Sequence, residues 1–119
     1  MSDEAAINNA ALEKIRELGD NDLVVKIIDL FVDYAATKIA EAREASSRGD
    51  LQAVQFAVHP IKSSAGNVGA DHVRAIAQQI EKLASEGQAG PIPARIADLE
   101  TAFATARDLL LQHRTAIAP

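Results

Sequence analysis

One stretch of this sequence combines a histidine, a lysine and several small residues: AVHPIKSSAGNVGADHV, residues 57–73. The imidazole of His59 is a nucleophile or general base near neutral pH, and Lys62 lies one helical turn further on. At that spacing the ammonium group can compensate an anion placed on the ring. Ser63 adds almost no bulk beside the ring, and Gly66 costs a helix about 1 kcal/mol relative to alanine. The glycine therefore predicts a close approach, either of a neighbouring helix or of a partner protein.

The helix that carries His59 is predicted to bury the side that faces away from this histidine. Its apolar residues recur in steps of three and four, which predicts a seam that packs against other helices: Leu51, Val54, Val58, Ile61, Ala65 and Val68. At about 100° per residue, His59 points roughly 140° away from the centre of this seam. The residues that share its side are polar or small: Gln52, Gln55, Lys62, Ser63 and Gly66. A lone histidine is commonly a core or capping residue, but this placement predicts that His59 faces solvent.

Phe56 lies three residues before His59 and about as far from the seam as an apolar residue can lie. Two interpretations stay open: the first helix covers the ring, or the ring is a docking contact for a partner. With Gln55, Ser63 and Gly66, it forms the predicted access and docking surface around His59.

Pro60 follows the histidine directly. Inside a helix, proline removes one backbone hydrogen bond and disfavours helical geometry at the residue before it. The third helix therefore either kinks here or begins again with Pro60 in its first turn, and the sequence does not decide between the two.

Five helical segments, separated by turn signals, position these residues. The first helix is predicted over about Glu4–Leu18, and the second from Asn21 or Asp22 as N-cap to about Arg48. The third runs from the N-cap Asp50 to Gly69, and the fourth from the cap Asp71 to Gly87. The fifth follows the loop Gly87–Pro93 and continues to about residue 111, before a frayed tail from Gln112 to Pro119. Four apolar seams joined by short loops predict an all-α fold, an antiparallel up-down four-helix bundle with an additional N-terminal helix. We expect a single domain over residues 1–119 with a core of about residues 10–111.

Composition excludes several classes of function. The 119 residues include no cysteine, so disulfides, thiolate zinc sites and cysteine nucleophiles are excluded. The net charge of −5 and the scattered 12 Lys and Arg residues argue against nucleic-acid binding. No apolar run approaches the roughly 20 residues that span a membrane, and the acidic Met-Ser-Asp-Glu start lacks the features of a signal peptide. A soluble, cytoplasmic protein that binds neither nucleic acid nor membrane is expected.

The residues around His59 also match a known pattern. His59-Pro60-Ile61-Lys62-Ser63-Ser64-Ala65, followed by Val68-Gly69-Ala70, resembles the H-x-[LI]-K-[GS]-[SA]-[SA]-x-x-[LIV]-G-A signature of histidine-containing phosphotransfer (HPt) domains. LEKIRELGDNDLVVKIIDLFVDY resembles the first two helices of that family, and IAQQIEKLA resembles the helix beside the histidine helix. The resemblance covers roughly residues 10–111.

This resemblance implies a phosphorelay carrier without turnover of its own. By position, His59 is the phosphorylated residue, Lys62 the nearby cation, and Glu81 the acceptor that orients the imidazole. Ser63 stands where the family often has glycine, which is a modest departure. The implied partners are response-regulator receiver domains, a hybrid histidine kinase, or both. Magnesium is expected on the receiver, no cofactor or metal on this chain, and the chain is expected to be a monomer.

Two rival interpretations stay open. In one, the chain is a helical interaction module in which His59 is never phosphorylated. In the other, His59 is the general base of an independent enzyme, although no nucleophile, orienting group and oxyanion hole accompany it.

His72 and His113 have no partner at metal-ligand spacing, so a zinc site is not expected. Glu81 pairing only with a nearby lysine is a further alternative. The chain is expected to be free-standing, with an excised module of a larger kinase as the alternative.

Overall fold

The structure is a computed structural model that describes residues 7–117. Its helices are α1 (Asn9–Leu18), α2 (Asn21–Ser47), α3 (Leu51–Asn67), α4 (Asp71–Ser85) and α5 (Ile92–Ile117). Within residues 7–117 there is no strand. The predicted all-α class is therefore confirmed.

Helices α2 to α5 form a closed bundle. Each packs against the next along the chain, and α5 returns to pack against α2, while α1 lies across α2 and α3. Short connections between neighbours give the antiparallel up-down arrangement that was predicted, with α1 as the additional helix. The core is almost entirely aliphatic, with one aromatic pair, Phe31 and Phe103, whose ring centroids lie 5.9 Å apart. No helix among the described residues has the length and apolar character that crossing a membrane requires.

Side-chain caps determine where three helices begin. The side chains of Asn8, Asp20 and Asp50 accept hydrogen bonds from the backbone N–H groups at the starts of α1, α2 and α3. The Asp50 cap was predicted, whereas Asp20 caps α2 in place of Asn21 or Asp22. The predicted start of α1 at Glu4 lies outside the described residues, and Ile7 and Asn8 are not helical, because Asn8 is the cap.

The turn between α3 and α4 places the start of α4. Gly69 has a φ of +75°, and the N–H of Ala70 donates to the carbonyl of Ala65 at 2.8 Å, as in a Schellman ending. Ala70 is therefore the N-cap of α4, and the prediction that Asp71 caps this helix is wrong: Asp71 lies in its first turn. A side chain at Gly69 would lie 2.2 Å from the carbonyl oxygen of Asn8.

Pro60 lies inside α3, which is one helix from Leu51 to Asn67. Re-initiation at Pro60 is therefore wrong, and the ring is tolerated within the helix. Ser64 Oγ donates to the carbonyl of Pro60 at 2.9 Å. The fully buried Val58 and Ile61 flank the His59-Pro60 pair in sequence and hold this part of α3 against the core.

The fifth helix is longer than predicted. It continues to Ile117, so the tail expected to fray from Gln112 is helical over its described part, and Ala118 and Pro119 lie outside the described residues. Two contacts accompany the extension. Ile117 is partly buried against the core, and the guanidinium of Arg114 donates to both carboxylate oxygens of Asp29 on α2 at 2.7 and 3.0 Å. This contact joins residues 85 positions apart, which local sequence patterns do not indicate.

Candidate functional site

His59 stands on the outer face of α3, as the periodicity predicted. Its side chain is 68% exposed, and its neighbours in sequence alternate with it between core and surface. Because Val58 and Ile61 are fully buried, the helix cannot rotate to bring the imidazole inward without exposing both. Burying each aliphatic side chain contributes on the order of 2 kcal/mol, so the exposure of His59 is a consequence of core packing.

Glu81 joins His59 and Lys62 into a three-residue cluster. This glutamate comes from α4, which packs along α3, and its side chain is only 18% exposed. One carboxylate oxygen, Oε2, contacts Nδ1 of His59, and the other, Oε1, contacts Nζ of Lys62. The single carboxylate therefore holds both side chains.

The ionisation of Glu81 determines the tautomer of the ring. Partial burial works against the charged form, but hydrogen bonds from Lys62 and His59 outweigh it and hold the pKa of Glu81 below its ordinary value of 4.5. A carboxylate only accepts hydrogen bonds, so Nδ1 of His59 carries the proton and donates. In the neutral ring with its proton on Nδ1, the lone pair lies on Nε2.

A polar cleft of about 430 Å³ opens beside His59. It lies between α3 and α4 and is lined by His59, Lys62, Ser63, Gly66, Asn67, Arg74 and Gln78. Small side chains on α3 leave this space open, since Ser63 is exposed and Gly66 has no side chain. The arrangement presents one nucleophilic nitrogen, cationic groups and room for a small anion.

The predicted site residues fall into two groups in the structure. His59, Lys62, Glu81, Ser63 and Gly66 come together at the cleft or in its supporting cluster. Gln55 and Phe56 do not line the cleft: Gln55 is half-buried, and Phe56 is 69% exposed. The first helix therefore does not cover the Phe56 ring. Its role as a docking contact stays a prediction.

Three cleft residues were not singled out from the sequence: Asn67, Arg74 and Gln78. A signal for two of them was present, since Arg74, Gln78 and Glu81 follow one another on α4 in steps of four and three. That spacing places them along one side of the helix. Which neighbour they face depends on how α4 packs against α3, and the sequence alone does not show this.

A larger apolar groove continues from the cleft. It has a volume of about 780 Å³, lies between α1, α2 and α3, and shares Gly66 and Asn67 with the cleft. Leu18, Leu30 and Tyr34 line it and are exposed. Within residues 7–117, no three His, Asp or Glu side chains come together as metal ligands.

The comparisons with known proteins agree with this geometry. The chain matches the Hpt domain family model over residues 26–116. A crystal structure of histidine-containing phosphotransfer protein B (HptB) from Pseudomonas aeruginosa PAO1 superposes with a TM-score of 0.88 at 26% sequence identity, over 93% of this chain and 96% of that chain. A search of curated proteins finds no significant match.

Because the family model spans well over half of the sequence, this chain belongs to the Hpt domain family. It is a histidine phosphotransfer carrier of the kind that works in phosphorelays.

Proposed function

We propose that His59 carries the phosphoryl group on Nε2. His59 accepts this group from an aspartyl phosphate of a receiver domain and returns it to the aspartate of another receiver. One observation carries the proposal: the imidazole is exposed at a polar cleft, and Glu81 holds its Nδ1. The nitrogen that faces away from Glu81 is then the one that reacts.

The proposed transfer step conserves atoms and charge. The Nε2 lone pair attacks phosphorus, an N–P bond forms, and the P–O bond to the aspartyl group breaks, so that its electron pair remains on the aspartate carboxylate. The proton on Nδ1 stays in place, and the phosphorylated ring becomes a cation beside the carboxylate of Glu81. In the reverse direction the same ring is a good leaving group, because it departs as neutral imidazole.

The remaining residues of the site assist phosphoryl transfer by stabilising charge and by leaving room for the incoming group. Lys62 lines the cleft and reduces the cost of placing the phosphoryl charge there. Ser63 and Gly66 leave room for the incoming aspartyl phosphate. The in-line geometry and metal chemistry of phosphoryl transfer are assigned to the partner, whose receiver domain would bind the magnesium, so this chain would have no turnover alone.

The partner class follows from the same proposal. We infer that response-regulator receivers, a hybrid histidine kinase, or both dock over the cleft and along the apolar groove, where Leu18, Leu30 and Tyr34 are exposed. Phe56 and Gln55 would extend this docking surface on α3. We expect a monomer that works in the cytoplasm, where ATP supplies phosphorelays. Sedimentation at micromolar concentration tests the monomer.

The proposal is tested with a receiver domain charged with ³²P-phosphate and a panel of histidine variants. We expect the wild-type chain to take up a label that is labile in acid and stable in alkali. His59→Gln should take up none, while His72→Gln, a matched change on α4, should label like the wild type. Label that persists in His59→Gln would contradict the assignment. Binding of receivers without any label would favour the interaction-module alternative.

A further inference from the structure

We propose that Arg74 is a second cation, beside Lys62, that stabilises a phosphoryl group on His59. This inference rests on the proposed function, because it concerns the phosphorylated form of the same site. Arg74 comes from the first part of α4 and lines the cleft together with His59 and Lys62. It would be a charge-stabilising and positioning residue outside the HxxK motif.

The charges around the cleft distinguish Arg74 from Lys62. Both oxygens of Glu81 are engaged, one by Lys62 and one by His59. The negative charge of Glu81 therefore offsets part of the attraction that Lys62 exerts on a phosphoryl group. Within residues 7–117, no carboxylate forms an ion pair with Arg74. Its guanidinium is then a cation of the cleft whose charge no carboxylate among these residues offsets.

The side chain of Arg74 lies against α3 beside Gly66. A Cβ atom built on Gly66 would lie 3.5 Å from Cδ and 3.8 Å from Nε of Arg74. The arginine side chain therefore crosses from α4 onto the surface of α3 at the glycine. A Cβ atom would make only ordinary contacts there, so no neighbouring helix among the described residues requires a glycine, and the approach of a partner protein at Gly66 stays a prediction. Asn67 and Gln78 also line the cleft and offer neutral amides.

The size of the effect follows from Coulomb's law. The second ionisation of a phosphoryl group adds one negative charge, and a cation that lines the same cleft in a mostly aqueous setting favours that charge. Removing the cation should raise the second pKa of the phosphoryl group by about 0.5 pH unit. The shift should shrink as salt is added, since charges at this distance are screened at physiological ionic strength.

Phosphoramidate, a small phosphoryl donor, tests this without a partner protein. His59 is phosphorylated in the wild type, Arg74→Gln, Arg74→Lys and Arg107→Gln, and the phosphohistidine is titrated by ³¹P NMR at low salt. Arg107→Gln is the matched control, because Arg107 lies on α5 and does not line the cleft. We expect the raised pKa in Arg74→Gln alone, with Arg74→Lys close to the wild type.

The outcomes separate the two proposals. If Arg74→Gln titrates like Arg107→Gln, Arg74 does not act on the phosphoryl group and this inference is overturned. If Arg74→Gln instead weakens only the affinity for a receiver, the guanidinium contacts the partner protein, and the inference is likewise overturned. A wild-type chain whose phosphoryl group is not on His59 contradicts the proposed function itself. Circular dichroism of each variant confirms that the bundle is intact.

Discussion

Replacing Glu81 by glutamine separates the two roles of this side chain, orientation of the ring and stabilisation of its charge. Glutamine has nearly the same shape, and its carbonyl oxygen can still accept the hydrogen bond from Nδ1 of His59. It has no charge, so it no longer stabilises the cationic ring of the phosphorylated state. The charge that it frees on Lys62 favours the phosphoryl group, but the larger effect is on the ring, which Glu81 contacts directly. We therefore expect Glu81→Gln to keep the imidazole oriented and to destabilise the phosphorylated form selectively.

The magnitude follows from the hydrogen bond that changes most on phosphorylation. Before transfer, Nδ1 donates as part of a neutral ring; after transfer it donates from a cation, and a hydrogen bond to a charged group contributes about 1 kcal/mol more than a neutral one. Because the His59 side chain is 68% exposed, solvent screening keeps the difference between the two hydrogen bonds at about this value. About 1 kcal/mol corresponds to roughly a fivefold decrease in the equilibrium constant for phosphorylation.

The assay is an equilibrium titration against a ³²P-labelled receiver that phosphorylates the wild type. The equilibrium ratio of labelled chain to labelled receiver gives the constant directly for wild type, Glu81→Gln and Glu81→Ala. Glu81→Ala should lose more, because the ring is then no longer held. Glu100→Gln is the control: Glu100 also pairs with an arginine, Arg43, but on the α2–α5 side of the bundle. If Glu81→Gln has an unchanged constant, charge on Glu81 does not stabilise phosphohistidine and the reasoning is refuted.

The remaining predictions concern stability and access. Gly66→Ala should stabilise the bundle by up to about 1 kcal/mol in urea unfolding, because the added Cβ would make only an ordinary contact at 3.5 Å; a loss of stability would show that the site is tighter than this. Ile61→Ala should lose about 2–5 kcal/mol, since Ile61 is fully buried, and an unchanged midpoint would contradict its place in the core. Phe56→Ala should leave the unfolding midpoint within about 0.5 kcal/mol and weaken receiver binding, because the ring is exposed; a large loss of stability would mean that the ring is covered. The pKa of Glu81 is lowered in the folded state, so its contribution to stability is fully present above about pH 4.5 and is lost as the pH falls through the folded value. Wild type should therefore lose more stability than Glu81→Gln between pH 6 and pH 3, and equal losses would argue against the coupling.

Local patterns predicted most of the helices, because helix formation depends on residues three and four positions apart. The Asp50 cap, the glycine endings and the seam of α3 each involve neighbours in sequence, and the structure confirms the seam with Val54, Val58 and Ile61 fully buried. The wrongly predicted helix ends are those that depend on competing local signals or on contacts between distant residues. Asp71 is a good N-cap by residue type, but the turn at Gly69 places the cap at Ala70.

The length of α5 depends on a contact between residues that are far apart in the sequence. Its last turns contain no strong helix signal beyond Gln112, and a frayed end was the natural expectation. The ion pair between Arg114 and Asp29 bridges α5 and α2 in the folded state. Such a pair exists only after the bundle has assembled, so no local pattern reports it.

The sequence by itself determined that His59 is exposed, because one apolar face per helix leaves the opposite face to water. It also placed Lys62, Ser63 and Gly66 beside that ring through the helical repeat. Only the tertiary structure decided that Lys62 is paired with Glu81, and that Arg74 lies beside Gly66 in the lining of the cleft. The physical reason is that these contacts join two helices, and their register depends on how the apolar faces of α3 and α4 interlock.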